Sequence, residues 1–366
     1  MNLKRHGMVV GVAVAASLAL AACGSDNNPP VAAGATGGAG IDCVGGSLTA
    51  QGSTAQLNAM NQWIKDYQSR CSGAQINYQG TGSGAGQQAF IGGTADFAGS
   101  DSPVKDADLP RANARCAGGQ AIHLPMVVGP IAVVTNVDGA KDLRFKPATL
   151  AKIFSGKITK WDDPAIKADN PDAALPSTPI LAVHRAEASG TTDNFTKYLA
   201  AAAPNDWTYG HDTAWKAPGG QAEKGSDGVS AAVSKTTGSI GYVEWSFAQV
   251  DNLNVAKIHN GAGEYAALSG DSAGKTIASA KRTGTGDDLK LSIDYTTKAP
   301  GAYPIVLVTY EIVCSKGNDA GKLPLLKSFL TYASSAAGQQ AVTRFGYAPL
   351  PDTVRTTVAS TVSSLG

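Results

Sequence analysis

Ile180-Leu181-Ala182-Val183-His184-Arg185 is a strand-like run; it passes through Ala186-Glu187-Ala188-Ser189-Gly190-Thr191 into Phe195, Tyr198, Leu199 and Ala202, which share one helical face. Strand, short Gly/Ser/Thr turn and amphipathic helix form the repeating unit of an α/β protein. The same unit occurs twice earlier. Ser47–Ala50 leads through Gly52-Ser53-Thr54 to Leu57, Met60, Ile64 and Tyr67 at helical spacing, and Gln75–Gln79 leads through Gly82-Ser83-Gly84 to the short run Gly86–Ile91. This alternation predicts parallel strands with crossover helices. In such sheets ligands sit beyond the carboxyl ends of the strands, where all three turns fall.

Each turn is a candidate anion cradle. The first N–H groups of a helix lack intrahelical acceptors and carry the positive end of the helix dipole. Taken singly, a Ser or Thr before a helix is more often a plain cap. Three such starts together with Arg185, a planar and permanently charged fork, make a set of donors suited to one oxyanion. Asp101 ends Asp96-Phe97-Ala98-Gly99-Ser100-Asp101, just past a short predicted strand. A carboxylate beside an anion site is informative if the ligand carries a proton, because an ionised Asp accepts from an O–H group and repels a fully deprotonated anion.

The first residues predict export. Lys4 and Arg5 precede an apolar run from Met8 to Leu20, ending in Leu20-Ala21-Ala22-Cys23. That run is shorter than the roughly 20 residues that span a bilayer, and Cys after two small residues is the acceptor pattern of bacterial lipoproteins. Residues 1–22 therefore read as a lipoprotein signal and Cys23 as the lipidation site, with an ordinary secretory signal as the alternative. Residues 23–42, rich in Gly and Ala, read as a flexible tether that reaches on the order of 20–25 Å from the membrane. Removal of Lys4 and Arg5 leaves 28 basic against 29 acidic residues. A near-neutral chain without a basic run makes nucleic acid an improbable partner.

More than 320 residues follow the tether, which exceeds one usual core and predicts two lobes. The long apolar runs Leu124–Thr135 and Tyr303–Val313 are candidate crossings between them. Residues 43–128 plus 262–366 then form lobe I, completed by amphipathic segments at Leu323–Tyr332 and Thr353–Val362, and 129–261 form lobe II. Four cysteines beyond Cys23 suggest two disulfides in an exported chain. Of the three possible pairings, Cys71 with Cys116 and Cys43 with Cys314 is the expectation, one within a region and one tying the chain ends. A zinc site is the competing reading, but there is no Cys-x-x-Cys, and His123, His184, His211 and His259 are scattered.

These residues resemble the phosphate-binding proteins of the Pst-type ABC importer, most of all their lipid-anchored branch. The resemblance covers the chain from about Cys43 to the C-terminus. Besides the turns already quoted, it rests on Leu48–Thr54, Tyr78–Gly84, Ile158–Pro164, Gly238–Tyr242 and Tyr347–Pro351. It implies an α/β, two-lobed periplasmic-binding-protein fold of the type II Venus-flytrap kind with the ligand cleft between the lobes. It implies no cofactor, no metal and no catalysis, and as partners inorganic phosphate and the permease subunits of an ABC importer, met by a monomer on the outer face of the cell membrane. It places Thr54, Ser83, Asp101, Arg185, Ser189, Gly190 and Thr191 at phosphate-contacting positions, with a backbone donor from Ala55. Many relatives carry Phe at the position of Ala55. Glu187 stands where Asp is common and is expected to pair with Arg185 or to rim the site.

Rival readings are weaker. Gly270 to Thr276 imitates a P-loop with one residue too few, and Gly84–Ala89 imitates a dinucleotide fingerprint. A secreted phosphatase would use Ser189 or Ser83 as nucleophile near Arg185, but no base or metal cluster accompanies them. A surface interaction protein that has lost its ligand is disfavoured by the complete donor set.

Overall fold

A computed structural model describes residues 41–366, so Cys23, the signal and most of the tether lie outside the described residues. The first half runs β1 (Gly46–Gly52), α1 (Leu57–Arg70), β2 (Ala74–Gly80), α2 (Ser83–Ile91), β3 (Phe97–Ser100), α3 (Leu109–Arg115), β4 (Ala121–Asn136), β5 (Arg144–Phe145), α4 (Pro147–Phe154), α5 (Pro164–Asp169), β6 (Leu181–Arg185) and α6 (Gly190–Ala202). It continues with β7 (Gln221–Glu223), α7 (Gly225–Lys235), β8 (Ser239–Glu244), α8 (Trp245–Val250), β9 (Asn254–Val255), β10 (Lys257–His259), β11 (Tyr265–Ala266) and α9 (Gly270–Ile277). The C-terminal part is β12 (Lys281–Arg282), β13 (Leu291–Ser292), β14 (Val306–Cys314), α10 (Leu323–Ser334), α11 (Ala336–Thr343) and α12 (Asp352–Ser364). The P-loop imitation is helix α9 and the dinucleotide imitation lies inside α2, so neither forms a phosphate loop between strand and helix.

The strands follow the order β2-β1-β3-β14-β4-β8-β6-β7, with β9 also on β4. The three predicted strand–turn–helix units supply parallel pairs, β1 with β2 and β3, and β6 with β7 and β8. The two long apolar runs, β4 and β14, lie antiparallel to each other and to β3 and β8, which makes the sheet mixed. β4 is buried along all but its last residue because it serves both halves: nine of its first ten residues pair with β14, Met126 being skipped at a bulge, and the rest pair with β8.

Two main cores flank this shared strand. One packs Leu48, Met60, Trp63, Tyr67, Phe97 and Phe329 from β1, α1, β3 and α10. The other packs Phe154, Trp161, Phe195, Tyr198 and Tyr242 from α4, the 155–163 segment, α6 and β8, and it also takes Tyr295, Tyr303, Ile305 and Leu307 from the returning chain.

The disulfides are Cys43–Cys71 and Cys116–Cys314, so the expected pairing of Cys71 with Cys116 and of Cys43 with Cys314 is wrong. Sheet register explains the outcome. Gly46 pairs with Ala74, which brings Cys43 just before β1 beside Cys71 just before β2. Cys314 pairs with Ala121, close to Cys116 at the end of α3. The second bridge closes a span of 198 residues. Replacing both Cys116 and Cys314 by Ala is expected to lower unfolding stability by about 2–5 kcal/mol. Urea denaturation of the double variant checks this, and an unchanged midpoint would contradict it.

Candidate functional site

Four hydroxyls meet the Asp101 carboxyl just beyond the end of β3. Ser53 and Thr309 donate to Oδ1 at 2.5 and 2.8 Å, while Ser83 and Thr191 stand at 3.4 Å from Oδ2. Oδ1 is thus held by close bonds to the β1 turn and to β14. Oδ2 meets only long contacts from the starts of α2 and α6, and it keeps accepting capacity. Asp101 N donates to Ser83 Oγ at 3.1 Å, and Asn194 Nδ2 of α6 donates to Asp101 O at 2.7 Å. Burial raises the Asp101 pKa; the surrounding hydroxyls and the charge of Arg185 oppose that rise without cancelling it.

Arg185 ends β6 and is buried, 2 % exposed. Glu187 takes one edge of its guanidinium, accepting from Nε at 2.9 Å and from Nη2. The other edge, Nη1, points to Thr191 Oγ1 at 3.4 Å and so toward Asp101. Burial alone pushes the Glu187 carboxyl up, but the bonds and charge of Arg185 and the Gly225 N–H outweigh it and leave the pKa lowered. Glu187 therefore stays ionised, fixes the plane of the fork and leaves its outer edge for a second anion.

Ser189 caps α6 through its hydroxyl, which accepts from Thr192 N at 3.3 Å. Gly190 and Thr191 occupy the first turn, where their N–H groups have no intrahelical acceptor. Only Gly fits at 190: a Cβ there would lie 2.5 Å from Asp101 Cβ and 2.7 Å from Ser83 Oγ. The structure thus brings Ser83, Asp101, Arg185, Ser189, Gly190 and Thr191 together.

Thr54 and Ala55 lie at the same place but differ in detail from the sequence expectation. Gly52-Ser53-Thr54 does not start a helix directly; a turn intervenes, and α1 begins at Leu57. Thr54 Oγ1 bonds Ser226 Oγ at 3.0 Å and accepts from Ser226 N at 3.3 Å, and Ala55 N donates to Ser53 Oγ at 3.1 Å. Sequence reasoning missed Ser53, Ser226 and Thr309. Gly225-Ser226 at the start of α7 repeats the Gly/Ser helix-start signature and could have been found, whereas Thr309 lies 208 residues from Asp101 and carries no local signal.

Contacts between the segments around the two cores close the site. Gly84 N donates to Ala188 O at 3.0 Å, Ser102 Oγ to Asp193 Oδ2 at 2.5 Å, and Lys105 pairs with Asp212 at 2.6 Å. Neither Ser83 nor Ser189 shares a hydrogen bond with a histidine among the described residues, and no cluster of three metal-ligating side chains occurs among them. No helix among the described residues is long and apolar enough to cross a membrane.

Donors from the ends of β1 and β6 and the starts of α2 and α6 thus meet around one carboxyl, and residues 37–337 match the family model described as "PBP superfamily domain". The chain is 44% identical over its full length to the full-length phosphate-binding protein PstS 3 of Mycobacterium tuberculosis. It is 32% identical to phosphate-binding protein PstS of Haemophilus influenzae, over 86% of this chain and 92% of that one. A solved structure of a high affinity periplasmic phosphate-binding protein (PfluDING) bound with phosphate shares the fold, with TM-score 0.71 and 22% identity over 86% of this chain and 93% of that one. The chain belongs to the PstS family of phosphate-binding proteins.

The raised Asp101 pKa fixes the sign of a pH effect. The folded state keeps this proton to higher pH than the unfolded chain does, so in phosphate-free buffer stability falls as pH rises from the ordinary 3.8 through the raised value. Asp101→Asn is expected to lose that slope, so that the melting temperature of the variant rises relative to that of wild type over this window. Parallel melting curves for the two proteins would contradict it.

Proposed function

We propose that this chain is a lipid-anchored, two-lobed receptor that captures inorganic phosphate outside the cytoplasmic membrane and hands it to the permease of an ABC importer. Anchoring is through Cys23, and the lobes are residues 43–128 plus 262–366 and residues 129–261. Closure between them buries the anion. The observation that carries the reading is the asymmetry of Asp101: Oδ1 is engaged by Ser53 and Thr309, while Oδ2 faces the donors at the starts of α2 and α6. A protonated phosphate oxygen donates to Oδ2, and the remaining oxygens accept from Arg185 Nη1, the hydroxyls of Thr54, Ser83, Ser189 and Thr191, and backbone N–H groups of Ala55, Gly190 and Thr191. Sulfate has no proton to offer at neutral pH, and its charge meets the carboxylate directly.

The relatives' names and the geometry support the same ligand. Ser189 serves as a helix cap, and no base adjoins it, which disfavours the hydrolase reading. Calorimetric titration is expected to show tight phosphate binding and sulfate binding weaker by orders of magnitude. Asp101→Asn is expected to reduce discrimination between the two anions by about 10- to 100-fold, the effect of one hydrogen bond to a charged group. Equal affinity for both anions in the wild type, or unchanged discrimination in the variant, would contradict the assignment.

A further inference from the structure

Two fully buried glutamates lie behind the Ser53–Ala55 turn, and the binding scheme uses neither. Glu311 sits in β14, all of which is buried, and neither of its carboxyl oxygens has a hydrogen-bond partner. Its cross-strand partner is Gly99, and a Cβ on Gly99 would fall 2.0 Å from Gln56 Nε2. The missing side chain thus admits the Gln56 carboxamide beside Glu311. Gln56 Nε2 donates to Tyr78 Oη at 3.0 Å, and Tyr78 Oη donates to Ser53 O at 2.9 Å. That orientation leaves buried Gln56 Oε1 without a donor. Glu311 is thus a carboxyl buried with both oxygens unpaired, and a proton removes the charge that such burial penalises.

Glu244, the last residue of β8, heads a second chain of the same design. Its Oε2 meets Ser246 N at 3.0 Å and Ser246 Oγ, while its Oε1 is buried without a partner. Ser246 Oγ is 3.1 Å from Tyr347 Oη, which donates to Ala55 O at 2.6 Å. Each acid therefore connects, through one tyrosine hydroxyl, to a carbonyl of the turn that carries Thr54. In a trans peptide the N–H points opposite to the C=O, so anchoring these two carbonyls fixes the direction of the Thr54 and Gln56 amides.

We propose that Glu311 and Glu244 are positioning residues of the anion site, held as neutral carboxylic acids, whose protons hold the Ser53–Ala55 turn in shape and keep two negative charges away from the ligand. This rests on the phosphate-site reading above. Burial pushes both carboxyls up to about 8, with the charge of Asp101 adding to the rise; the nearby Gln56 amide opposes it at Glu311, and the bonds from Ser246 and Tyr347 oppose it at Glu244. The groups facing Glu311 are Gln56 ahead of α1, Tyr78 of β2 and Asp101 after β3, with apolar Leu124 across on β4. Those facing Glu244 are Ser246, Tyr347 and Asp101, with Ile131 across on β4. Arg185, the cation of this region, acts on Asp101 and is already engaged by Glu187.

The sign follows directly. A bound anion disfavours ionisation of either glutamate, so above about pH 8 binding takes up protons and affinity falls with rising pH. The test measures inorganic phosphate affinity of the full chain from pH 6 to 10 for wild type and for the double variant Glu311→Gln, Glu244→Gln. Both proteins share the titration of phosphate itself, so the ratio of variant to wild-type affinity isolates the glutamates. The expected ratio is flat below pH 7 and climbs above about pH 8, approaching tenfold per pH unit for each group that ionises. A ratio independent of pH, with phosphate still bound by wild type at pH 7, would overturn this inference and leave the binding site standing. Absence of wild-type binding at pH 7 would instead remove the site reading beneath it. If the variant does not fold, infrared spectroscopy of the wild type decides: protonated-carboxyl C=O bands that vanish near pH 8 support the inference, and their absence at pH 7 overturns it.

Discussion

Everything at this site depends on burying one carboxylate, Asp101, where no cation touches it directly. Transfer of an unpaired charge from water is costly, and hydroxyl donors are the protein's compensation. Those donors come from four different parts of the chain: Ser53 after β1, Ser83 on α2, Thr191 on α6 and Thr309 on β14. Both close donors, Ser53 and Thr309, come from the same sheet half as Asp101, and of the four Thr191 alone reaches the carboxyl from the β6–α6 side. The proposed selectivity rests on this arrangement: a ligand that brings its own proton would relieve the charge, and one that does not would add to it.

The fold supplies that meeting point through β4 and β14. The first portion of β4 belongs with β1, β3 and β14, and its final residues belong with β8 and β6. The two cores are thereby hung on a shared strand, and the loops at the ends of β1, β3 and β6 face one another. Close approach is enforced by missing side chains at Gly52, Gly86 and Gly190, where a Cβ would lie 2.0–2.5 Å from neighbouring atoms. Arg185 is aimed from the opposite side by Glu187, which occupies half of the fork and so limits where an anion can sit.

Much of this was legible in the chain because the relevant signals are local. Strand–turn–helix periodicity located β1, β2, β6 and their helices, and the apolar runs located β4 and β14. Arg185 stood out as the end of a strand run, Asp101 by its place just after one, and Ser189 by the Gly/Ser/Thr turn that opens α6. What failed were features set by register and distance. The disulfides follow strand pairing that no spacing rule reveals. Thr309 reaches Asp101 from a strand that reads only as apolar, and Ser226 meets Thr54 across 172 residues. Glu311 and Glu244 did leave a trace, since an acidic residue in a strand buried along its whole length demands a proton or a partner. Deciding which of the two it has required the three-dimensional structure, which leaves both Glu311 oxygens and Glu244 Oε1 unpaired.

The most direct test of the account is a high-resolution crystal structure of the mature chain grown with phosphate. One phosphate oxygen is expected within hydrogen-bond distance of Asp101 Oδ2 and another within reach of Arg185 Nη1, with Ser53 and Thr309 still on Oδ1. Phosphate bound away from Asp101, or turned so that no oxygen approaches Oδ2, would contradict the claim that this carboxylate recognises the proton on the ligand.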